Sequence, residues 1–178
     1  QFMENNLEIG ICDTNAEFFM YGRGLWYYTN PTSEELKALL LVTNPICHPS
    51  VMMRKSMLDE YKLKYNPDYF SEDYELWSRS IAYFPIAHID EVLLKYRASK
   101  KNVTSIEAND SKIQTSIKKT IKHQFKDYLD LDFNDNEIEL LQRRINIIHK
   151  VACRDSAIKL QKQTYKRIIQ KNKECKIY

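Results

Sequence analysis

At 178 residues, 43% of them hydrophobic and 12% aromatic, the chain can build one well-packed domain and is marginal for two. Its three glycines, Gly10, Gly22 and Gly24, cannot write a glycine-rich phosphate loop, which excludes an ordinary P-loop NTPase and a self-contained Rossmann domain. The net charge of +3 is uneven: residues 1–142 carry 16 Lys+Arg against 22 Asp+Glu, and residues 143–178 carry 11 against 2, so the basic character belongs to the C-terminal segment.

In chain order, Gln1 to Asn6 reads as the tail of a helix and Leu7 to Thr14 as a strand. Ala16 to Tyr28 is aromatic and β-prone, a second strand or a hairpin interrupted by Gly22 and Gly24. Asn30-Pro31-Thr32-Ser33 caps a short helix, Glu34 to Val42, with Glu35 in its first turn. The two prolines of Asn44–Ser50 forbid regular helix there. Val51–Met53 predicts a short buried strand, and Ser56 the start of a helical turn, Met57 to Tyr61. A helix opens at Glu72-Asp73, carries Tyr74, Trp77 and Ile81 at helical spacing, and ends near Tyr83 because Pro85 follows. Two strands, Ile86 to Ile89 and Val92 to Arg97, flank Asp90-Glu91. From Glu107 onward the pattern is helical: one helix from about Asp110 to Leu129, and another from Asn134 or Asp135, with a break, toward Lys171. The order is mixed α/β first, then all α.

Several side chains invite a chemical reading. Glu72 and Asp73 open a helix, where carboxylates face unpaired N–H groups and the positive end of the macrodipole. Such a carboxylate is held ionised and fixed in direction, which suits a general base; an acidic first turn that merely caps a helix is the commoner use. His48, set between Pro45 and Pro49, and Arg54, after a short strand, could contact a phosphate or a sugar hydroxyl, or be structural. Lys95, Arg97, Lys100 and Lys101 form a cationic cluster that could neutralise a diphosphate leaving group, or remain a solvated loop. Asp130-Leu131-Asp132 spells D-x-D but lies in an acidic connector between helices, so no metal site is assigned. Cys12, Cys47, Cys153 and Cys175 form no CxxC pair and no zinc pattern, so reduced thiols in a cytoplasmic protein are expected. The basic C-terminal helix reads as a solvated face, as an anionic-membrane surface, or as a nucleic-acid contact; the last is set aside because no nucleic-acid-binding module accompanies it.

Asn44–Lys55, Tyr65-Asn66, Ser71-Glu72-Asp73-Tyr74-Glu75-Leu76-Trp77-Ser78-Arg79 and Lys95-Tyr96-Arg97, in this order, resemble the C-terminal half of the family 2 glycosyltransferases of GT-A type. Asn5 to Asn15 looks like the strand segment that follows their nucleotide-binding half. The resemblance covers roughly residues 1–105. It implies that Asp73 is the catalytic base, supported by Glu72, which removes the acceptor hydroxyl proton as that oxygen attacks the anomeric carbon of a nucleotide sugar.

The expected fold is therefore α/β, a partial GT-A-type mixed sheet over 1–105, the acceptor-side half of such a domain, followed by a helical extension over 106–178. His48, Arg54, Trp77, Arg97, Lys100 and Lys101 are the expected substrate-binding residues, although Trp77 at helical spacing is more often a core residue. Many family members carry a histidine two residues after the Tyr-Arg pair; here that position is Ser99, and Lys100 and Lys101 follow it. The donor is expected to be UDP-linked, the acceptor a glycan or a lipid-linked sugar, and the divalent cation, Mn²⁺ or Mg²⁺, to belong to the full-length enzyme, with none expected on this stretch. This stretch alone is expected to be inactive, and to self-associate as a homodimer or by strand exchange through an uncovered sheet edge. Peripheral contact with the inner face of an anionic membrane is a further expectation. The competing class is a non-catalytic interaction module acting through its basic helices.

Overall fold

One strand, β1 (Ile11–Met20), organises the sheet of this computed structural model, which describes residues 1–20, 24–26, 31–99, 111–142 and 154–175. The short helix α1, Phe2–Asn5, precedes it. Strand β4, Ile86–Ala98, runs parallel to β1 along its whole length and so takes one of its edges. The other edge is shared in tandem. There β3, Met52–Met53, pairs antiparallel with Ile11 and Cys12, and β2, Gly24–Trp26, pairs antiparallel with Ala16 to Phe18. Among the described residues the sheet is mixed and open, with four strands by count and three across.

The sequence divides both long strands, and the structure joins each. Ile11 to Ala16 are all buried, polar members included, so β1 lacks the alternation that marks a one-sided strand. Asp90-Glu91 does not end β4. Ile89, Val92 and Leu94 partner Thr14, Asn15 and Ala16 in turn, so the extra residues are absorbed as irregularities in the register.

Helix α2, Ser33–Leu40, begins with a capping box: the Glu35 N–H donates to Thr32 Oγ1 at 3.2 Å and the Thr32 N–H to Glu35 Oε2 at 2.8 Å. The backbone and side-chain bonds from Thr32 hold the Glu35 carboxyl below its ordinary range. A 3₁₀ turn spans His48–Ser50, between α2 and β3. Helix α3 covers Lys55–Glu60, with Arg54 rather than Ser56 at its start, and α4 covers Glu72–Ser80. The helical part contains α5, Ser111–Leu129, α6, Asp135–Gln142, and α7, Arg154–Cys175. No helix among the described residues is long and apolar enough to cross a membrane.

The core lies where α4 meets α2, the start of the sheet and α5. Tyr74 and Trp77 of α4, Leu40 of α2, Ile11 and Ile86 of the sheet, and Ile121 and Phe125 of α5 belong to one buried cluster. The helical part is therefore packed into the core of the α/β part. Where β1 begins, the backbone of Gly10 passes against the Phe84 ring: a Cβ on Gly10 would lie 2.2 Å from Phe84 Cδ2. Gly10→Ala is expected to destabilise the protein by about 1–3 kcal/mol through overpacking, read as a lower Tm. The cost should shrink in a Phe84→Leu background; equal costs in both backgrounds would contradict the contact.

Candidate functional site

Asp73 is the second residue of α4, and its surroundings follow from that position. The Tyr74 N–H, one of the helix's unpaired first-turn donors, reaches Asp73 Oδ1 at 2.7 Å. Asn44 Nδ2 donates to Oδ2 at 3.1 Å, and His48 Nδ1 stands 3.7 Å from the same oxygen. A carboxylate offers about four lone-pair sites, so these contacts fix its direction and leave room for one more donor. The side chain is 21% exposed, so the carboxylate stays open to solvent.

The loop that carries Asn44 and His48 is tied to the sheet by a buried carboxylate. The Cys47 N–H donates to Asp13 Oδ2 at 2.8 Å, and Asp13 Oδ1 lies 2.9 Å from His88 Nδ1, its register partner on β4. His88 Nε2 is 3.0 Å from Asn15 Oδ1, and Asn15 Nδ2 donates to Asp90 Oδ1 at 2.9 Å. That second bond sets the Asn15 amide so that both ring nitrogens of His88 face oxygen acceptors. Ser50 Oγ accepts from the Thr14 N–H at 3.0 Å and lies 3.1 Å from the Thr14 carbonyl, which extends the edge between β3 and β2 with a side chain. Cys12 and Cys47 are buried here, and burial pushes both thiols up.

Two rings flank the other side of His48. Trp77, one turn beyond Asp73, is fully buried and meets the His48 ring edge-on, centroids 5.7 Å apart. Tyr65 sits 6.5 Å from Trp77, and its hydroxyl is 3.0 Å from His48 Nε2. Tyr65 and His48 both keep substantial exposure. Burial, then the negative charges of Asp73 and Glu72, push the Tyr65 phenol above its ordinary value.

With this geometry in place, comparison with known proteins gives one informative match. The chain is 33% identical over 86 residues to an uncharacterized glycosyltransferase of Haemophilus influenzae strain Rd. Over that stretch it is related to a glycosyltransferase. The match covers 48% of this chain and 26% of that protein, so the chain spans about a quarter of the relative's length. No protein-family model matches the chain, and no solved structure does.

The structure gathers some of the sequence-chosen residues and separates others. Asp73, His48 and Trp77 come together. Glu72 is half-buried beside them and, among the described residues, makes no side-chain hydrogen bond; it acts on Tyr65 through its charge. Arg54 does not join the group. Its guanidinium donates to the carbonyls of Met3, Asn6 and Ile9, which pins the N-terminal segment against β3. Arg97 is exposed near the end of β4, in register with Phe19. Lys100 and Lys101 lie outside the described residues. Asp130 and Asp132 both face Lys126, at 2.9 and 3.0 Å, and among the described residues no cluster of three or more His, Cys, Asp or Glu could hold a metal ion.

Asn44, Tyr65 and the Asp13–His88 pair are the members that sequence reading left without a role. An asparagine fixed ahead of a proline beside a histidine was the available signal for the first; nothing local marks the others. Because the Asp73 charge is one cause of the raised Tyr65 phenol, Asp73→Asn is expected to lower the Tyr65 titration midpoint. A ring-labelled tyrosine NMR titration reads it, and an unchanged midpoint would mean that the carboxylate does not face the phenol.

Proposed function

We propose that the intact protein is a glycosyltransferase of the family 2, GT-A type. It transfers a sugar from a nucleotide-sugar donor, UDP-linked, to a hydroxyl of a glycan or lipid-linked acceptor. The observation that carries this reading is the Asp73 carboxylate, held by two donors at the start of α4 and still open to solvent. The glycosyltransferase relationship over half the chain gives it its reaction class.

In the proposed step the acceptor oxygen bonds to the anomeric carbon as the bond to the diphosphate breaks, in one displacement with inversion. The hydroxyl proton passes to Asp73. A base that needs no covalent chemistry must supply position, and the Tyr74 N–H and Asn44 supply it. The partly exposed rings of His48 and Tyr65 offer a wall for the acceptor sugar, with Trp77 supporting them from the core. Glu72 adds to the local negative field. Arg97, with Lys100 and Lys101, is assigned to the departing diphosphate, and Arg54 to the fold.

A divalent cation, Mn²⁺ or Mg²⁺, would neutralise the donor diphosphate in the full-length enzyme. It is assigned to the donor side of that enzyme. The chain is read as the acceptor-side portion of that enzyme, in the cytoplasm, with peripheral membrane contact through its basic segment and self-association through its open sheet edge. An interaction module built on basic helices is the weaker reading. Many of the described helical cations already face acids: Lys118 faces Glu139, Lys122 faces Asp135, Lys126 faces Asp130 and Asp132, and Arg167 faces Glu137.

In the full-length protein, Asp73→Asn is expected to lower kcat by about 10²–10⁴-fold, the usual contribution of a general base, while calorimetry still detects the nucleotide-sugar donor. Unchanged turnover would refute the assignment.

A further inference from the structure

Three polar side chains of α5, Ser116, Gln124 and Tyr128, turn toward the helix that carries Asp73. Ser116 of α5 is buried, and its Oγ accepts from the Ser71 N–H at 3.2 Å and lies 2.9 Å from Ser71 Oγ. Ser71 is the residue immediately before Glu72-Asp73, and its own hydroxyl makes no capping bond to α4. Two turns further along α5, Gln124 Nε2 donates to the Leu40 carbonyl at 2.8 Å and lies 3.4 Å from the Tyr74 hydroxyl, which itself donates to Leu40 O at 2.7 Å. One turn beyond, the Tyr128 hydroxyl donates to the Ser78 carbonyl, in the last turn of α4, at 2.9 Å. Burial, with the Asp127 charge next, pushes Tyr128 up to about 12, so it remains a donor through the neutral range. Between these contacts Ile121 and Phe125 pack in the same core as Tyr74 and Trp77.

Ser116, Gln124 and Tyr128 share one i, i+4 ridge of α5, and they meet α4 just before its first turn, at Tyr74 and in its last turn. Apolar ridges alone let one helix settle in several positions along another. Directional bonds at both ends remove that freedom. Building on the assignment of Asp73 as the base, we propose that α5 is a register clamp: Ser116, with Gln124 and Tyr128, is a positioning residue that sets where the Asp73 carboxylate stands relative to the acceptor. Reaction rates are steep in such placement, and an error of about 1 Å can cost 10²-fold.

The test uses the full-length protein with Ser116→Ala, Ser116→Thr and the milder Tyr128→Phe. UDP release is measured from whichever of UDP-glucose, UDP-galactose and UDP-N-acetylglucosamine turns over fastest, alongside residue-resolved amide exchange. Ser116→Ala is expected to lower kcat about tenfold or more with donor KM within about twofold, and to speed exchange at Ser71–Tyr74 selectively. Ser116→Thr should restore both, and Tyr128→Phe should shift them in the same direction by less. Wild-type kcat in Ser116→Ala, or faster exchange spread evenly over the chain, would overturn the clamp. Asp73→Asn in the same assay separates the two ideas. Loss of turnover there with no effect of Ser116→Ala removes the clamp alone. Turnover that survives Asp73→Asn removes the base assignment, and the exchange data then decide the clamp: local loosening at Ser71–Tyr74 supports it and unchanged exchange overturns it.

Discussion

The buried carboxylate of Asp13 is the interaction on which the site depends. One oxygen meets His88 across β1 and β4, and the other accepts the Cys47 N–H from the loop that carries Asn44 and His48. A carboxylate fully out of water is tolerated only when its partners are close and well aligned, and these are. Its position therefore transmits the geometry of the sheet to the loop, and the loop transmits it to Asp73. Removing Asp13 would take away the acceptor of the buried Cys47 N–H and the acceptor facing His88 Nδ1 at once, which is why the sheet and the site are one structural problem.

A second constraint approaches from the helical side. The core that begins at Ile11 and Ile86 continues through Tyr74 and Trp77 into Ile121 and Phe125 without interruption. Asp73 thus sits between two sets of contacts: the sheet with its proline-framed loop, and α5 along the back of α4. The aromatic face of α4 anchors it, and the Tyr74 N–H and Asn44 give the carboxylate on its exposed side its direction.

The sequence disclosed features whose partners are near in the chain. Thr32 and Glu35 announced α2, the Glu72–Trp77 pattern announced α4, and the two prolines marked the 44–50 loop. Contacts between distant residues were illegible. Asp13 and His88 are 75 positions apart, and Ser116 lies 45 from Ser71, so no local pattern records either pair. Burial of β1 on both faces erased the alternation that would have shown it as one strand. Arg54 shows the reverse difficulty: a cation after a strand looks chemical in sequence, and here its guanidinium holds three backbone carbonyls.

Under the proposed single displacement, one fixed carboxylate suffices for transfer and no enzyme nucleophile is needed. The most direct measurement of that claim is the anomeric configuration of the product formed by the full-length enzyme, read from the proton coupling at the anomeric carbon in NMR before mutarotation. A configuration opposite to that of the donor is predicted, as a single displacement with Asp73 taking the proton requires. A product that keeps the donor's configuration would contradict it.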